Sequence, residues 1–421
     1  MDLKIFPSKL KGIIEVPASK SITHRYLICA ALSKGKSIIK NPLICDDTLA
    51  TIDVLKQLGA KFKIEKDQII VKGVGKPKLT DRTLTILESA TTLRVLLPIL
   101  ILFSKKVTIT STKRLIDRIY TSDLLDLKGL DFQRRTYSIT ITGNFTEKEF
   151  LLSGKITTQL ISGMIVALPF LGEDAKVKVK DIDFNNPYIK LTIDALNKFG
   201  INFVIEDDVI RLDNASKFKA NDVTVEGDFS NGAVWLAASV FHQELQVKGL
   251  NLDSIQGDKK MLDFLDAMGV KFRVEEDIIT YLEGSLGGIT LNIEETPDLA
   301  PILVATASNA DGTVIIQGTN KLSYKESNRK LAIKEVCNLL GGFVKLGDDS
   351  IIIQGKAKLK GDATIASYND HRIVMATAIL ATITENPVII KNIEVVNKSY
   401  PNFFKDLARL GARFEVVWWK H

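Results

Sequence analysis

The hydrophobic pattern of the chain repeats six times. In each copy a helical stretch ends at a glycine, an apolar position follows within three residues, and an acidic or polar turn then leads into a β-branched run. Glycine lacks a Cβ atom, so it takes the left-handed conformation that ends a helix without steric penalty. The pattern therefore predicts a helix that ends at each of these glycines, followed by a strand, a tight turn and a second strand. The six glycines are Gly59, Gly129, Gly200, Gly269, Gly341 and Gly411.

The spacing of these glycines is regular, with intervals of 70, 71, 69, 72 and 70 residues. Familiar solenoid repeats have periods of about 20 to 50 residues, so each longer unit here has room for two strand–helix elements and buries most of its own core. Helix–glycine–strand junctions also occur singly in α/β proteins, but chance does not explain six at such even spacing. The sequence therefore predicts an α/β fold of six similar units.

The composition is that of an ordinary globular protein. The 421 residues are 45% hydrophobic and 25% charged, which argues against a disordered or fibrous chain. The longest apolar run, 95–103, is much shorter than the roughly 20 residues that span a bilayer, so we expect a buried element there. The first 20 residues lack the apolar run of a signal peptide, and the three cysteines have no Cys-x-x-Cys spacing. We therefore expect a cytoplasmic protein with reduced thiols.

Hydroxyl and cationic residues precede predicted helices at three places in the first half of the chain, 17–25, 88–94 and 155–159. The N-terminus of a helix presents unpaired N–H groups and a partial positive charge, so it attracts anions. Added lysine or arginine side chains would complete a cradle for phosphate or carboxylate. Ordinary N-capping explains each place taken singly, so both interpretations stay open at this point.

Acids, bases and cations precede predicted helices in the second half. Asp298 lies before an apolar stretch, 325–329 contains cation, acid and cation, and 368–372 opens another apolar stretch. Such side chains carry out proton transfer when burial moves their pKa values towards neutrality. His371 is one of four histidines, and an isolated histidine is more often a structural hydrogen-bonding group than a base.

Taken in order, these motifs resemble those of one family, the 5-enolpyruvylshikimate 3-phosphate (EPSP) synthases. The cluster Lys20-Ser21…Arg25 is similar to the family's Ser-Lys-Ser…Asn-Arg motif, 88–94 is similar to Asn-Ser-Gly-Thr-Thr-Met-Arg, and 369–372 is identical to Asn-Asp-His-Arg. The resemblance runs along the whole chain. It implies two domains of three βαβαββ units each, with helices inside and sheets outside. We expect 1–18 plus 229–421 to form the C-terminal-half domain and 19–228 the N-terminal-half domain.

The resemblance implies a reaction in the shikimate pathway of aromatic amino acid biosynthesis. The enolpyruvyl group of phosphoenolpyruvate is transferred to the 5-hydroxyl of shikimate 3-phosphate, and phosphate leaves a tetrahedral intermediate. No metal or organic cofactor is expected. The expected partners are the two small-molecule substrates, with no nucleic acid and no membrane, and the expected state is a monomer.

The resemblance also implies the site residues, matched by motif position. Shikimate 3-phosphate would be held by Lys20, Ser21, Arg25, Thr157, Thr158, Gln159, Asp298 and Lys325. Phosphoenolpyruvate would contact Lys20, Ala90, Arg94, Arg118, Gln159, Arg329, Arg372 and Lys398. The implied catalytic residues are Asp298, Glu326, Lys20, His371 and Lys398, with Asp298 as base at the attacking hydroxyl and Glu326 as the group that moves the methylene proton. Two anionic substrates need such a concentration of cations, and arginine's planar fork suits both carboxylate and phosphate.

Two departures from the family pattern have functional consequences. Ala90 stands where glycine is usual, and an added methyl group there resembles the feature that excludes the inhibitor glyphosate, so we expect reduced glyphosate sensitivity. Glu88 stands where asparagine is usual and brings a negative charge towards an anionic ligand. Because of Glu88, one alternative stays open: a non-catalytic paralogue that binds shikimate 3-phosphate without turnover.

Two related enzymes are alternatives. The UDP-N-acetylglucosamine enolpyruvyl transferase resembles the same six-unit fold, but it normally has Lys-Asn where this chain has Lys20-Ser21. It also has a cysteine near the position of Arg118, whereas this sequence has no cysteine between Cys45 and Cys337. An RNA 3′-phosphate cyclase would need clustered basic charge, and the net charge here is only +6.

Overall fold

A computed structural model describes residues 1–79, 83–120, 127–213, 216–356 and 358–418. These residues divide between two compact units. The continuous unit is Ala18–Glu226, and the discontinuous unit combines Met1–Pro17 with Gly227–His421. The last three residues of the domain expected at 229–421 lie outside the described ranges.

Twelve α-helices and 24 β-strands lie within the described ranges, numbered along the chain. The helices are α1 (Lys20–Leu32), α2 (Asp46–Gln57), α3 (Ala90–Phe103), α4 (Lys113–Tyr120), α5 (Gln159–Leu171), α6 (Pro187–Lys198), α7 (Phe229–Phe241), α8 (Lys260–Ala267), α9 (Ala300–Ala307), α10 (Arg329–Leu339), α11 (His371–Ala381) and α12 (Phe403–Arg409). The strands are β1 (Asp2–Phe6), β2 (Gly12–Glu15), β3 (Lys34–Lys40), β4 (Lys61–Ile64), β5 (Gln68–Val74), β6 (Thr83–Thr85), β7 (Lys106–Thr110), β8 (Leu130–Arg135), β9 (Ser138–Gly143), β10 (Glu149–Ser153), β11 (Lys176–Lys180), β12 (Phe203–Glu206), β13 (Val209–Leu212), β14 (Val223–Thr224), β15 (Leu245–Lys248), β16 (Val270–Glu275), β17 (Ile278–Gly284), β18 (Thr290–Asn292), β19 (Thr313–Gln317), β20 (Phe343–Leu346), β21 (Ser350–Gln354), β22 (Ala363–Ile365), β23 (Val388–Ile390) and β24 (Arg413–Val417).

In the described part of the chain, the strands form six four-stranded sheets with one common topology. In the sheet β6-β7-β9-β8, for example, β6 is parallel to β7, and β8 and β9 form an antiparallel hairpin beside β7. A helix follows each of the first two strands, so the unit is βαβαββ. The sheets β10-β11-β13-β12 and β18-β19-β21-β20 have the same local order. The predicted six-unit α/β fold is confirmed.

The remaining three sheets each take one strand from a distant part of the chain. Strand β14 is parallel to β3, β2 is parallel to β15, and β1 lies between β23 and β24. The expectation of a local hairpin after Gly411 is therefore wrong, because β24 pairs with β1 at the opposite end of the chain. Sheet hydrogen bonds need strands that are adjacent in space, and the local pattern of one strand does not specify a distant partner.

All six repeat glycines have positive φ angles, between 83 and 108°. Five of them stand two residues after the last residue of a helix, at the ends of α2, α6, α8, α10 and α12, as predicted. Residues 121–126, which precede Gly129, lie outside the described ranges. Adding a Cβ atom at Gly129, for instance, would place it 2.2 Å from the carbonyl oxygen of Asn144, so both the backbone angle and the space require glycine there.

Each of the two compact units has its own apolar core. The first helix of every βαβαββ repeat lies in one of these cores. Helices α1, α3 and α5 are buried almost all round in the continuous unit, and α7, α9 and α11 are in the discontinuous unit. The strands alternate between buried and exposed positions, so one face of each sheet is solvated. Within each compact unit, therefore, the helices lie inside and the sheets lie outside. The apolar run 95–103 is the buried body of α3, and no helix in the described ranges is long and apolar enough to cross a bilayer.

Candidate active site

Three core helices of the continuous unit begin within the motifs that the sequence singled out. Helices α1, α3 and α5 begin at Lys20, Ala90 and Gln159, so the predicted helix starts are confirmed. Their N-cap residues are hydroxyl residues, and the hydroxyl of Ser89 accepts a hydrogen bond from the Thr92 backbone at 3.3 Å. Ala90 is 6% exposed, which places its methyl group in a closely packed helix start.

Three residues expected to bind phosphoenolpyruvate meet in the continuous unit. Arg94 Nη1 donates to Gln159 Oε1 at 3.0 Å, and Arg94 Nη2 donates to the carbonyl oxygen of Arg118 at 2.9 Å. Gln159 Nε2 in turn donates to the hydroxyl of Thr91 at 3.0 Å. The starts of α3 and α5 and the end of α4 are therefore joined by one polar network with buried arginine side chains.

Lys20 has a carboxylate partner that sequence reasoning missed. Its Nζ lies 2.8 Å from Oδ2 of Asp47, a buried residue in the first turn of α2. The backbone of Asp47 also accepts from the Thr92 hydroxyl, so the partner of Lys20 is fixed against α3. An acid at a helix start is a common capping feature, and its closeness to Lys20 is visible only in the folded chain.

Arg25 is engaged inside the continuous unit. Its Nε donates to Thr192 Oγ1 at 2.9 Å, while its two terminal nitrogens donate to the carbonyl oxygens of Ser21 and Tyr188. Burial lowers the pKa of this guanidinium to about 10. Arg25 therefore joins α1 to α6, and its role in substrate binding stays a prediction. The other predicted ligand at this end of α5, Thr157, accepts a hydrogen bond from the Gln159 backbone at 3.2 Å.

Arg329 is the centre of a buried ionic network in the discontinuous unit. The side chain is 1% exposed, and each of its three nitrogens donates to a carboxylate at 2.7 Å. The acceptors are Asp298, Glu326 and Asp370. The sequence singled out the first two as catalytic, and the third emerges here as an anchor that also caps α11.

Asp298 is surrounded by cations. Lys325 lies 3.2 Å from Oδ1, Arg329 lies 2.7 Å from the same atom, and Arg372 lies 3.1 Å from Oδ2. Burial alone would raise the pKa of this carboxyl group, but Arg372, Lys325 and Arg329 together hold it well below its usual value. Asp298 is therefore fully ionised at neutral pH.

The remaining predicted residues of this unit are also buried. His371 is the first residue of α11 and is 1% exposed, and Lys398 ends a 3₁₀ turn, Ile393–Lys398, with 7% exposure. The two residues before Asp370 both have left-handed backbones, with φ angles of 53° and 52°. Consecutive non-glycine residues in that region store strain, which is typical of segments that hold functional groups in place.

The family can be assigned from the sequence of the whole chain. A family model described as "EPSP synthase (3-phosphoshikimate 1-carboxyvinyltransferase)" matches residues 6–407. The chain belongs to the EPSP synthase family. The predicted family resemblance is thereby confirmed, and the match extends over both units.

Similar proteins agree with this assignment. The chain is 36% identical to a 3-phosphoshikimate 1-carboxyvinyltransferase of Clostridium novyi, with 98% of both chains covered. It is 33% identical to the protein of the same name in Clostridioides difficile, again with 98% of both covered. Among solved structures, an EPSP synthase from Acinetobacter baumannii has a TM-score of 0.76 at 23% identity, covering 99% of this chain and all of the other. The enolpyruvyl transferase NikO from Streptomyces tendae has a TM-score of 0.74 at 15% identity, covering 98% of each chain. At these identities the two structures support the fold.

Proposed function

We propose that this member of the EPSP synthase family transfers the enolpyruvyl group of phosphoenolpyruvate to the 5-hydroxyl of shikimate 3-phosphate. The methylene carbon gains a proton, the hydroxyl oxygen bonds to the neighbouring carbon, and the hydroxyl proton passes to a base. Loss of phosphate and of one methyl proton from the tetrahedral intermediate then gives the enol ether. The observation that carries this proposal is the full-length family match together with a buried acid–cation network of the kind that such proton transfers require.

Each unit, taken by itself, contains groups that suit anionic substrates. The continuous unit offers helix starts with Lys20, Arg94 and the amide of Gln159, which suit phosphate and carboxylate oxygens. The discontinuous unit offers cations next to candidate proton carriers. We assign shikimate 3-phosphate and phosphoenolpyruvate to the residues that the family resemblance implies, with Lys398 and His371 assisting the departing phosphate.

The low pKa of Asp298 bears directly on its proposed role as base. A carboxylate held by three cations is a weak proton acceptor. Lys325 and Arg372 are also proposed substrate ligands, so anionic substrates would draw both cations away from Asp298. The pKa of Asp298 would then rise towards the value that general-base catalysis needs. Substrate binding would thus activate the base.

The test is release of inorganic phosphate from shikimate 3-phosphate and phosphoenolpyruvate by the purified protein. We expect Asp298→Ala to lower the turnover rate by about 10²- to 10⁴-fold, the range for loss of a general base. The matched control is Asp311→Ala, because Asp311 is an exposed acid that pairs with Lys356 at 2.7 Å. Phosphate release that is no faster with the wild-type protein than with Asp298→Ala would refute the proposal.

The same assay separates the alternatives. A UDP-N-acetylglucosamine enolpyruvyl transferase would release phosphate only with that sugar nucleotide, and a non-catalytic paralogue would bind shikimate 3-phosphate without release. We do not expect the first result, because the family match is to EPSP synthases over almost the whole chain. We do not expect the second, because the proposed proton-carrying groups Asp298 and Glu326 are both present and hydrogen-bonded to one arginine. We further propose that the enzyme acts in the cytoplasm and is a monomer. Size-exclusion chromatography with light scattering can check the monomeric state.

A further inference from the structure

The peptide that follows Lys398 is hydrogen-bonded to the first turn of α7. Asn231 Nδ2 donates to the carbonyl oxygen of Ser399 at 3.2 Å and to Oδ2 of Asp228 at 3.3 Å. Asn231, Asp228 and Ser399 are all buried. Asn231 and Ser399 are 168 residues apart in the sequence, so only the fold brings them together. A buried amide therefore holds the residue next to Lys398.

Asp228 fixes the direction in which this amide points. It is the N-cap residue of α7, and its Oδ1 accepts from the backbone N–H groups of Ser230 and Asn231 at 2.7 and 3.3 Å. Ordinary N-capping needs only bonds of this kind. The second carboxylate oxygen, Oδ2, instead accepts from the amide of Asn231. Asp228 therefore holds that amide in the orientation in which it reaches Ser399.

Trp235, one helical turn further along α7, holds the next residue, Tyr400. Trp235 Nε1 donates to the Tyr400 hydroxyl at 3.2 Å, and that hydroxyl donates to Oδ2 of Asp406 at 2.8 Å. Both aromatic side chains are buried. Residues four apart in a helix lie on one face, so Asn231 and Trp235 project from the same side of α7. This face therefore binds the two consecutive residues that follow Lys398.

Stability alone does not explain an asparagine at position 231. Its Oδ1 is buried, and no donor to this atom lies within the described ranges. Burying a polar atom without a hydrogen bond costs stability, and an apolar side chain of similar size would avoid that cost. Side chains that break such a local rule are expected at functional sites. The bond from Asn231 Nδ2 to the peptide after Lys398 is the reason we assign to this residue.

We propose that Asn231 is a positioning residue for Lys398 and that Trp235 supports it. By holding the two residues that follow Lys398, they set where its ammonium group meets the phosphate of phosphoenolpyruvate. Neither side chain is assigned a contact with a substrate. Misplacing a reacting group by about 1 Å can cost about 10²-fold in rate, so such anchoring matters. This inference rests on the proposed function, because that function assigns Lys398 to phosphoenolpyruvate and its departing phosphate.

Asn231→Ala tests the proposal, since it removes the amide and leaves the Lys398 side chain intact. We expect KM for phosphoenolpyruvate to rise about tenfold and KM for shikimate 3-phosphate to stay within about twofold of the wild type. The second substrate is assigned to other residues of this unit, Asp298 and Lys325. A purely structural defect of the unit would affect both substrates. Phosphate release, measured with each substrate varied in turn, gives the two constants.

The matched control is Asn338→Ala. Asn338 lies on α10 of the same unit, and its amide also bonds to backbone, accepting from Val344 N at 2.8 Å and donating to the Val344 carbonyl oxygen at 3.4 Å. The control therefore loses hydrogen bonds between an asparagine side chain and the backbone, as Asn231→Ala does, but none of them holds the segment around Lys398. We expect both KM values of Asn338→Ala to equal those of the wild type.

A second variant keeps the inference falsifiable if Asn231→Ala does not fold. Trp235→Phe keeps an aromatic ring in the core and removes the Nε1 donor to Tyr400. One of the two anchors then remains, so the effect should be smaller. We expect KM for phosphoenolpyruvate to rise about threefold, again with KM for shikimate 3-phosphate unchanged.

Each outcome has a defined meaning. Failure of the wild type to release phosphate would overturn the proposed function itself. An active wild type together with an unchanged KM for phosphoenolpyruvate in Asn231→Ala, or in Trp235→Phe if the first variant does not fold, would overturn the positioning role alone. An equal rise in KM for both substrates would also overturn it, because an effect that acts through Lys398 is confined to phosphoenolpyruvate.

Discussion

At the scale of single residues, the site is organised by charge balance in a buried environment. Asp298, Glu326 and Asp370 are matched by three cations, of which Arg329 contacts all three acids. Removing one member of a buried ion pair costs about 3–5 kcal/mol, because the partner charge is left uncompensated. An incoming anionic substrate must therefore displace a carboxylate that already contacts one of these cations. Such exchange couples substrate binding to the basicity of Asp298.

The methyl group of Ala90 leads to a prediction for the inhibitor glyphosate. Ala90 is buried at the start of α3, and one methyl group too many in a closely packed site costs about 1–3 kcal/mol. Ala90→Gly should therefore lower the inhibition constant of glyphosate by about tenfold or more. Inhibition curves of phosphate release, measured against phosphoenolpyruvate, give this constant.

The control for that change is Ala195→Gly, which removes a buried methyl group from α6 of the same unit. We expect its inhibition constant to equal the wild-type value, since any general weakening of a helix by glycine is present there too. Superimposable curves for the wild type and Ala90→Gly would show that this methyl group does not exclude the inhibitor.

At the scale of elements, the core helices approach one another closely enough to specify individual residues. Gly163 lies in α5, where an added Cβ atom would come 2.5 Å from the carbonyl oxygen of Arg94 in α3. Backbone cannot move aside as a side chain can. The packing of α3 on α5 therefore fixes the start of α3 relative to Gln159, and with it the Arg94–Gln159 hydrogen bond.

We predict that Gly163→Ala destabilises the protein by about 1–3 kcal/mol, the usual cost of overpacking. The matched control is Gly232→Ala in α7, where the new Cβ atom would meet the flexible side chain of Leu250 at 2.9 Å. Alanine favours a helix over glycine, so the control should lose less stability. Thermal unfolding followed by circular dichroism compares the two variants. An equal or larger loss for Gly232→Ala would contradict the close-approach argument.

At the scale of the whole molecule, the chain passes between the two units twice, at Pro17/Ala18 and at Glu226/Gly227. The two ends of the continuous unit are hydrogen-bonded to each other, since Ser19 N donates to the carbonyl oxygen of Glu226 at 2.8 Å. The discontinuous unit instead needs β1 and β2 from the first 17 residues to complete two of its sheets. Strand β1 is an inner strand, bonded on both edges.

This asymmetry predicts different behaviour of two fragments. Residues 18–226 contain complete sheets and their own core, so this fragment should fold alone and unfold cooperatively in urea. Residues 227–421 lack β1 and β2 and should not unfold cooperatively until a peptide of residues 1–17 is added. Circular dichroism during urea titration measures both. Cooperative unfolding of 227–421 without the peptide would show that the strand pairing is dispensable.

Much of this protein is determined by local sequence. The repeat glycines, the starts of α1, α3 and α5, and the motifs around Lys20, Arg94 and Asp370 are signals within a few residues, where backbone sterics and capping decide the conformation. Such signals are sufficient to predict the six-unit fold, the family and the residues assigned to the substrates. They do not depend on what the rest of the chain does.

Only the tertiary structure decides which of these local features meet. The pairing of β1 with β24, of Lys20 with Asp47, and of Arg329 with Asp298 and Asp370 joins residues that are far apart in sequence. Burial depends on the whole packed core, so the ionised state of Asp298 and the raised pKa of Asp258 have no signature in their neighbouring residues. The sequence determines which groups are present, and their folded environment determines which of them hold a charge or a proton.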